Sequence, residues 1–217
     1  MRTGIIFDLD GTLIDSRADL ALAVNLTREE LGLAPIPQAQ VVGYVGEGVR
    51  LLLTRAIPER PDLLEQALAI NQRHYRAHLL DQTRLYPGVA EALARFRQRG
   101  TPLMVVTNKP KAFTELILDG LGIAGCMAAV LGGGDCPGLK PDPEPLFLAL
   151  ERGGCGTAGS WMVGDHFTDL EAGRRAGLNR CFCRYGFGDP GPETWDLAVD
   201  DLRELADFLD SNPTPVM

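Results

Sequence analysis

Short apolar runs alternate along the chain with longer stretches in which apolar residues recur every three or four positions. The longer stretches, at residues 18–31, 63–80 and 90–99, predict amphipathic helices. Strands that alternate with helices indicate a parallel sheet with helices on both faces, which is a Rossmann-like α/β fold. The predicted strands cover residues 4–7, 103–106, 128–131, 161–163, 180–183 and, more weakly, 197–199.

The spacing of the strands predicts an inserted domain. The first strand ends at Phe7 and the next strong one begins near Leu103, a gap much longer than an ordinary crossover connection. Helical patterns fill most of this gap. We therefore predict an α-helical cap domain over residues 16–84 and a catalytic α/β core made of residues 1–15 and 85–217. The last seven residues, which include two prolines, are expected to form a frayed tail.

Two aspartates, Asp8 and Asp10, follow the first predicted strand directly. Side chains two residues apart in extended backbone point to the same side, so these carboxylates can converge just beyond the strand. Gly11 then permits a sharp turn, and the carboxyl edge of an open parallel sheet is where ligands bind. Close carboxylates repel each other unless a cation lies between them or one holds a proton. The motif favours a metal or acid–base site over simple helix capping.

Polar residues also follow the second and third predicted strands. Thr107 and Asn108 follow the second strand, where a hydroxyl and an amide suit anionic oxygens. Lys140 comes after the third strand, and Pro141 restricts its backbone to an extended conformation. A fixed cation at this edge is what a group of close carboxylates requires, so we interpret Lys140 as a functional residue.

The fourth predicted strand leads into Gly164 and Asp165, with Asp169 four residues further on. On a helix that starts here, the spacing would place both carboxylates on one face. Together with Asp8 they supply the hard oxygen ligands that Mg²⁺ prefers. The sequence therefore predicts a magnesium site at the edge of the sheet.

Composition and charge restrict the partners. Hydrophobic residues make up 45% of the chain and charged residues 23%, which is typical of an ordinary globular protein. The net charge of -8 disfavours nucleic acid as a partner, so a small anionic substrate must be attracted by a bound cation or by local basic groups. No apolar run is long enough to span a membrane. We leave the oligomeric state open between monomer and homodimer.

The expected location is the cytoplasm. The first apolar stretch is interrupted by Asp8 and Asp10, which argues against a secretory signal. The five cysteines form no Cys-x-x-Cys pair and no even set, so neither a disulfide framework nor a zinc knuckle is indicated.

These motifs, each placed after a successive strand, resemble those of the haloacid dehalogenase superfamily, and in particular its phosphatases with a helical cap inserted after the first motif. The resemblance covers nearly the whole chain. It implies that Asp8 is the nucleophile, that Asp10 is the general acid and base, and that Thr107 and Lys140 bind phosphate.

The same resemblance implies how Mg²⁺ is bound. The ligands would be the Asp8 carboxylate, the Asp10 backbone carbonyl and Asp165, with Asp169 and Gly164 in support. Because the dehalogenase branch of the superfamily lacks an aspartate at the position of Asp10, its presence here implies phosphoryl transfer. One position departs from the pattern: the family has a small polar residue after the first aspartate of the fourth motif, where this chain has a histidine.

A glycine-rich cap segment, residues 42–52, is similar to the cap loop of phosphoglycolate phosphatases, which implies 2-phosphoglycolate as the substrate. Gly46 suits a loop that approaches the ligand closely. Arg50 is expected to pair with the substrate carboxylate through its planar guanidinium group. A helix-surface arginine is an equally good interpretation of Arg50.

Three alternatives remain open on the sequence. The first is a phosphatase for another small substrate, such as pyrophosphate, an amino-sugar phosphate or a sugar phosphate. The second is a sugar-phosphate mutase, although residues 16–20 lack the histidine-containing segment of those enzymes. The third is a non-catalytic phosphate-sensing module, which would not need the intact Asp8 and Asp10.

Overall fold

The computed structural model describes residues 2–212, and its main strands lie where the apolar runs predict them. The strands are β1 (Ile5–Phe7), β2 (Ile14–Asp15), β3 (Arg84–Leu85), β4 (Leu103–Pro110), β5 (Ala129–Gly133), β6 (Trp161–Gly164), β7 (Asn179–Cys183) and β8 (Leu197–Val199). Six of them form one sheet in the order β5-β4-β1-β6-β7-β8, with every neighbouring pair parallel. The predicted Rossmann-like α/β fold is confirmed.

Nine α-helices and two 3₁₀ turns connect these strands in the described part of the chain. The α-helices are α1 (Arg17–Glu30), α2 (Gln38–Val42), α3 (Val49–Ala56), α4 (Leu64–His78), α5 (Val89–Gln98), α6 (Lys111–Gly120), α7 (Glu144–Arg152), α8 (Phe167–Ala176) and α9 (Leu202–Ser211). The 3₁₀ turns are Pro61–Leu63 and Ala124–Cys126. None of the described helices is both long and apolar enough to cross a bilayer. The predicted frayed tail lies, from residue 213 onwards, outside the described residues.

Burial on both faces explains why β1 is continuously apolar. Ile5 and Phe7 belong to one apolar cluster, where the Phe7 ring packs 6.1 Å from the ring of Phe96 on α5. Ile6 belongs to a second cluster, which includes Leu146 of α7. Side chains alternate between the faces of a strand, so a central strand needs an apolar residue at every position.

The register of the central strands aligns their carboxyl ends. Phe7 lies beside Val105 of β4 and Val163 of β6. The residues that follow β1 and β6, including Asp8 and Asp165, therefore emerge side by side at one edge of the sheet. This alignment builds the site described below.

Helices α1 to α4 lie between β2 and β3 in the chain and bury an apolar cluster of their own. Its buried members are Ala21, Val24, Val41, Leu52, Leu53, Ala56, Ile57 and Ala67. The predicted helical stretches at 18–31 and 63–80 correspond to α1 and to the 3₁₀ turn followed by α4. A separate apolar cluster is what the predicted cap domain would have, and its boundaries at residues 16 and 84 stay a prediction. Below, "the cap" means helices α1 to α4 with their connecting loops.

The two chain segments that lead into and out of these helices are joined by contacts that the sequence pattern did not indicate. Strands β2 and β3 pair antiparallel, with Asp15 opposite Arg84. The buried Asp19 carboxylate at the start of α1 accepts hydrogen bonds from the backbone amides of Gln82 and Thr83 and from the Thr83 hydroxyl, at 2.7 to 3.0 Å. The Asp19 carboxylate thus joins the start of α1 to the segment that leads into β3.

Replacing Asp19 by alanine is expected to lower the free energy of unfolding by about 2–4 kcal/mol, because the buried donors of Gln82 and Thr83 lose their charged acceptor. Urea denaturation followed by circular dichroism measures this change. The matched control is Asp62→Ala, which removes an exposed carboxylate paired only with Arg60 and should leave the unfolding midpoint unchanged. Equal midpoints for the two variants would contradict the role given to Asp19.

Candidate active site

Three buried aspartates form a cluster at the carboxyl edge of the sheet. Asp8 follows β1, Asp165 follows β6, and Asp169 lies in the first turn of α8. One carboxylate oxygen from each lies within 4.8 Å of the others. The structure thus brings together the three acids that the sequence assigned to one site.

Lys140 lies between two of these acids. Its Nζ is 2.9 Å from Asp8 Oδ1 and 2.7 Å from Asp169 Oδ1, and it donates a hydrogen bond to the carbonyl of Val106 at 2.6 Å. Asn108 fixes the Lys140 backbone, because its side chain accepts from the Lys140 amide and donates to the Lys140 carbonyl, both at 2.8 Å. Lys140 is therefore a buried cation at a fixed position.

The charges in the cluster do not balance. Burial raises the pKa of Asp8 to about 6, although the Lys140 ammonium group acts in the opposite direction. Burial also raises the pKa of Asp165 well above its ordinary value. At Lys140, burial opposes the charged form, but Asp169 and Asp8 outweigh it and raise the pKa of the ammonium group. The cluster thus holds three carboxylates and one ammonium group, which pairs with Asp8 and Asp169, and a divalent cation would supply the missing positive charge.

The donor set fits a hard divalent cation. Asp8 Oδ1 and Asp169 Oδ1 accept no hydrogen bond of acceptable geometry from any described residue, although both lie at ion-pair distance from Lys140. Asp165 is held by the backbone amides of Phe187 and Gly188, at 3.0 and 2.7 Å. Carboxylate oxygens with free lone pairs, fixed around a small buried volume, are the ligands that Mg²⁺ prefers.

The Asp10 carboxylate lines the same cavity but is not one of the three clustered acids. Both of its oxygens are 2.9 Å from Nζ of Lys109, and Oδ1 also accepts from the Ser16 hydroxyl. Burial opposes the charged form of Lys109, but Asp10 outweighs it and raises the pKa of the ammonium group. Sequence reasoning assigned no role to Lys109, because only the tertiary contacts reveal that this lysine is buried and aimed into the cavity.

The cap contacts the core through Asn108 and Gly46. The Asn108 side chain donates to the Gly46 carbonyl at 2.9 Å, in addition to its bonds with Lys140. Thr107 is buried and lines the cavity beside it. Asn108 therefore links the cap to Lys140, whereas the sequence suggested only that Asn108 binds substrate.

Gly46 also lies against His166, the residue that departs from the family pattern. Gly46 has a φ of +120°, and a Cβ atom added to it would lie 2.7 Å from the His166 ring. The close approach predicted for Gly46 is thus to a core side chain. His166 lines the cavity as well.

The start of α8 differs from the prediction. The helix begins at Phe167 and is capped by His166, so Asp165 lies before the helix and not on one of its faces. Asp169 accepts a hydrogen bond from the His166 backbone amide and completes the cap. Gly164 supports this arrangement, since a Cβ atom there would lie 2.3 Å from Asp169. Asp165 in the loop before α8 and Asp169 in its first turn therefore come together across the start of the helix, and not on one helix face.

Arg50 does not reach the cavity, and the expectation that it pairs with a substrate is not supported. The cap segment is a loop only as far as Gly48, because the following apolar residues form α3. The Arg50 side chain is 60% exposed and pairs with Glu65 at 2.7 Å. Val49 and Leu52 on the same helix face the cavity instead. The alternative interpretation, a helix-surface arginine, describes what is observed.

Comparisons with known proteins agree with this geometry. The model of the haloacid dehalogenase-like hydrolase family matches residues 5–183. The chain is 35% identical over 211 residues to a phosphoglycolate phosphatase of Chromobacterium violaceum, covering 94% of this chain and 95% of that protein. It is 37% identical to one of Pseudomonas putida, covering 93% and 77%. A crystal structure of a predicted phosphoglycolate phosphatase from Haemophilus somnus superposes with a TM-score of 0.85 at 30% identity, covering 97% of this chain and 98% of that one.

Replacing Gly46 by alanine is expected to loosen the contact between cap and core. The added methyl group would collide with His166, and the positive φ would cost roughly 1–3 kcal/mol in a residue with a side chain. Hydrogen–deuterium exchange should rise in residues 44–48. Gly43→Ala is the control, since an added Cβ there makes only ordinary contacts at 3.6 Å and longer. Unchanged exchange in Gly46→Ala would show that the loop has no such constraint.

Proposed function

The chain belongs to the family of haloacid dehalogenase-like hydrolases and is a phosphoric monoester hydrolase, and from this premise we propose how it acts and on what. It hydrolyses small organic phosphate monoesters, with 2-phosphoglycolate as the principal substrate. The reaction passes through an aspartyl phosphate on Asp8 and requires Mg²⁺. The observation that carries this proposal is the buried cluster in which Asp8 shares the Lys140 ammonium group with Asp169.

Asp8 is the nucleophile. It lies at the end of a central strand and lines a cavity that is walled by both core and cap residues. Lys140 holds one carboxylate oxygen, which leaves the other available to attack phosphorus in line with the leaving oxygen. Lys140 and the Thr107 hydroxyl stabilise the oxygens of the transferring phosphoryl group.

The metal complements these residues. Asp8, Asp165 and the Asp10 backbone carbonyl would hold Mg²⁺, with Asp169 in support. When bound, the cation neutralises charge on the phosphoryl oxygens and so reduces the repulsion between an anionic substrate and the Asp8 carboxylate. The raised pKa of Asp165 and the unbalanced charge of the cluster support a cation at this place.

Asp10 serves as the acid and then as the base. It protonates the leaving oxygen in the first step, and its carboxylate then activates the water that hydrolyses the aspartyl phosphate. Hydrogen bonds from Ser16 and Lys109 fix the orientation of the Asp10 carboxylate in the cavity wall. Apolar cap residues such as Val24, Val49 and Leu52 exclude water from the cavity until the ester is broken.

The choice of 2-phosphoglycolate rests on the relatives. Both curated proteins described above carry the name phosphoglycolate phosphatase, and the chain covers most of their length. The small, largely apolar cavity also suits a short organic substrate rather than a polymer. Pyrophosphate, an amino-sugar phosphate and a sugar phosphate belong in the test panel as competitors.

Replacing Asp8 by asparagine is expected to abolish phosphate release, because the amide cannot attack phosphorus, and to abolish covalent labelling. Rapid acid quenching of the wild-type enzyme with ³²P-labelled 2-phosphoglycolate should trap a labelled protein that hydroxylamine cleaves. Asp119→Asn changes a residue on the exposed surface of α6 and is the control. It should be labelled with ³²P and should release phosphate as the wild type does. Labelling of Asp8→Asn would refute the assignment of the nucleophile.

Removing divalent cations with EDTA is expected to abolish turnover, and added Mg²⁺ should restore it. Asp165→Asn should require a higher Mg²⁺ concentration for half-maximal activity, since one charged ligand is lost. Calorimetric titration of Mg²⁺ into both proteins measures the same change independently of turnover. Full activity in excess EDTA would refute the metal requirement.

A further inference from the structure

Two polar groups in the cavity are left without a direct part in phosphoryl transfer: the ammonium group of Lys109 and the hydroxyl of Tyr75. Lys109 is the only lysine or arginine among the described residues that line the cavity. Its Nζ lies 2.9 Å from both Asp10 oxygens and 4.5 Å from the centre of the Tyr75 ring. It is 7% exposed, so its charge is directed into the cavity and not toward bulk solvent.

Tyr75 comes from the cap helix α4 and lines the same cavity. It is 3% exposed, and its hydroxyl makes no hydrogen bond of acceptable geometry with any described residue. Burial raises the pKa of Tyr75 to about 12, so the hydroxyl is a protonated donor at neutral pH. A buried hydroxyl without a partner is rare, and a ligand that accepts its hydrogen bond would satisfy it.

The position of Lys109 relative to Asp10 determines what it can reach. Asp10 must contact the leaving oxygen in order to protonate it, at about 2.6–3.2 Å between heavy atoms. Lys109 binds that same carboxylate, so a substituent one or two bonds beyond the leaving oxygen comes near the ammonium group. In 2-phosphoglycolate that substituent is a carboxylate.

We propose that Lys109 and Tyr75 form a subsite for a carboxylate on the leaving group, and that this subsite selects phosphate monoesters of short hydroxy acids. The inference rests on the proposed function. It replaces the role that the sequence suggested for Arg50, whose guanidinium group faces Glu65 outside the cavity.

The chemistry of the ammonium group permits this second contact. An ammonium group has three donors; the two Asp10 oxygens accept two of them, and the third has no hydrogen-bond acceptor among the described residues. The substrate carboxylate takes this third donor and the Tyr75 hydroxyl, so the pair between Lys109 and Asp10 is kept. Without Lys109, no lysine or arginine among the described residues that line the cavity would be left to pair with a carboxylate on the leaving group.

The test compares two esters that differ only at the proposed contact. These are 2-phosphoglycolate and 2-hydroxyethyl phosphate, in which a hydroxymethyl group replaces the carboxylate. The measured quantity is the ratio of kcat/KM for the first ester to that for the second. The ratio cancels any loss that affects both esters equally, including a disturbed Asp10.

The wild-type enzyme should prefer 2-phosphoglycolate, and Lys109→Met should lower the ratio by at least about tenfold, because a desolvated charge pair is lost. Tyr75→Phe should lower it by roughly three- to tenfold, through the loss of one hydrogen bond to a charged group. Tyr75→Phe removes only an unpaired hydroxyl, so this variant is expected to fold normally. Lys111→Met is the matched control: Lys111 pairs with Asp135 outside the cavity, and the ratio should stay at the wild-type value.

If Lys109→Met turns over neither ester, affinity replaces turnover. Calorimetry then compares 3-phosphonopropionate, the non-hydrolysable analogue of 2-phosphoglycolate, with propylphosphonate, and the ratio of their Kd values should change in the same way. If Lys109→Met does not fold, the test is the kcat/KM ratio of Tyr75→Phe: a lower ratio supports the subsite, and an unchanged ratio refutes it.

Several results would overturn the inference. One is a wild-type enzyme that hydrolyses both esters without preference, and another is a ratio that neither Lys109→Met nor Tyr75→Phe changes. A lower kcat/KM ratio in Arg50→Ala instead would show that the substrate carboxylate binds Arg50 on the cap surface. A wild-type enzyme that hydrolyses no small phosphate would refute the proposed function itself, which distinguishes that failure from the failure of the subsite.

Discussion

The structure depends on one electrostatic constraint: a cluster of three buried carboxylates contains a single buried ammonium group, which pairs with two of them. Lys140 lies within 2.9 Å of Asp8 and 2.7 Å of Asp169, and Asp165 completes the acidic cluster. Buried charges are unfavourable unless they are compensated, so this arrangement persists only where the surrounding fold fixes it. Much of the architecture serves that purpose, since parallel strands deliver the acids to one edge and Asn108 clamps the backbone of Lys140. The excess negative charge is the basis of the divalent cation site that we propose.

The same residues couple the core to the cap. Asn108 holds Lys140 on one side and the Gly46 carbonyl on the other, while Asp10 holds Lys109, which lies against Tyr75 of the cap. A change in the position of the cap would therefore alter contacts of both Lys140 and Asp10. In the proposed reaction, this coupling joins substrate enclosure to the assembly of the groups that act on the phosphoryl group. In these proposals, phosphoryl transfer depends on the ion pair between Asp8 and Lys140, and selection of the leaving group depends on the ion pair between Asp10 and Lys109.

The residues that line the cavity determine which leaving groups it can accept. Among the described residues that line the cavity, Lys109 is the only lysine or arginine, and Tyr75 carries a buried hydroxyl without a hydrogen-bond partner, while the larger part of the wall is apolar. Fixed polar groups in such a wall discriminate strongly among small substrates, because a substrate without the matching group leaves them buried and unpaired. The glycine-rich cap segment contributes contact with the core rather than a cation, because α3 turns Arg50 toward Glu65.

The sequence by itself determined the sheet and the acids at its edge. Continuous apolar runs specify buried strands whatever the distant contacts are, and polar residues placed after such strands must emerge at the same edge of a parallel sheet. Tertiary structure alone decided that Asp165 precedes α8, that Asp19 ties together the two connections to the cap, and that Lys109 is buried. The start of α8 is set by the local cap between His166 and Asp169, whereas the other two features arise from contacts between residues far apart in the chain, including one between Lys109 and Asp10 across 99 positions. Local periodicity carries no information about such pairs, so Arg50 and Lys109 could be told apart only once the cap was packed on the core.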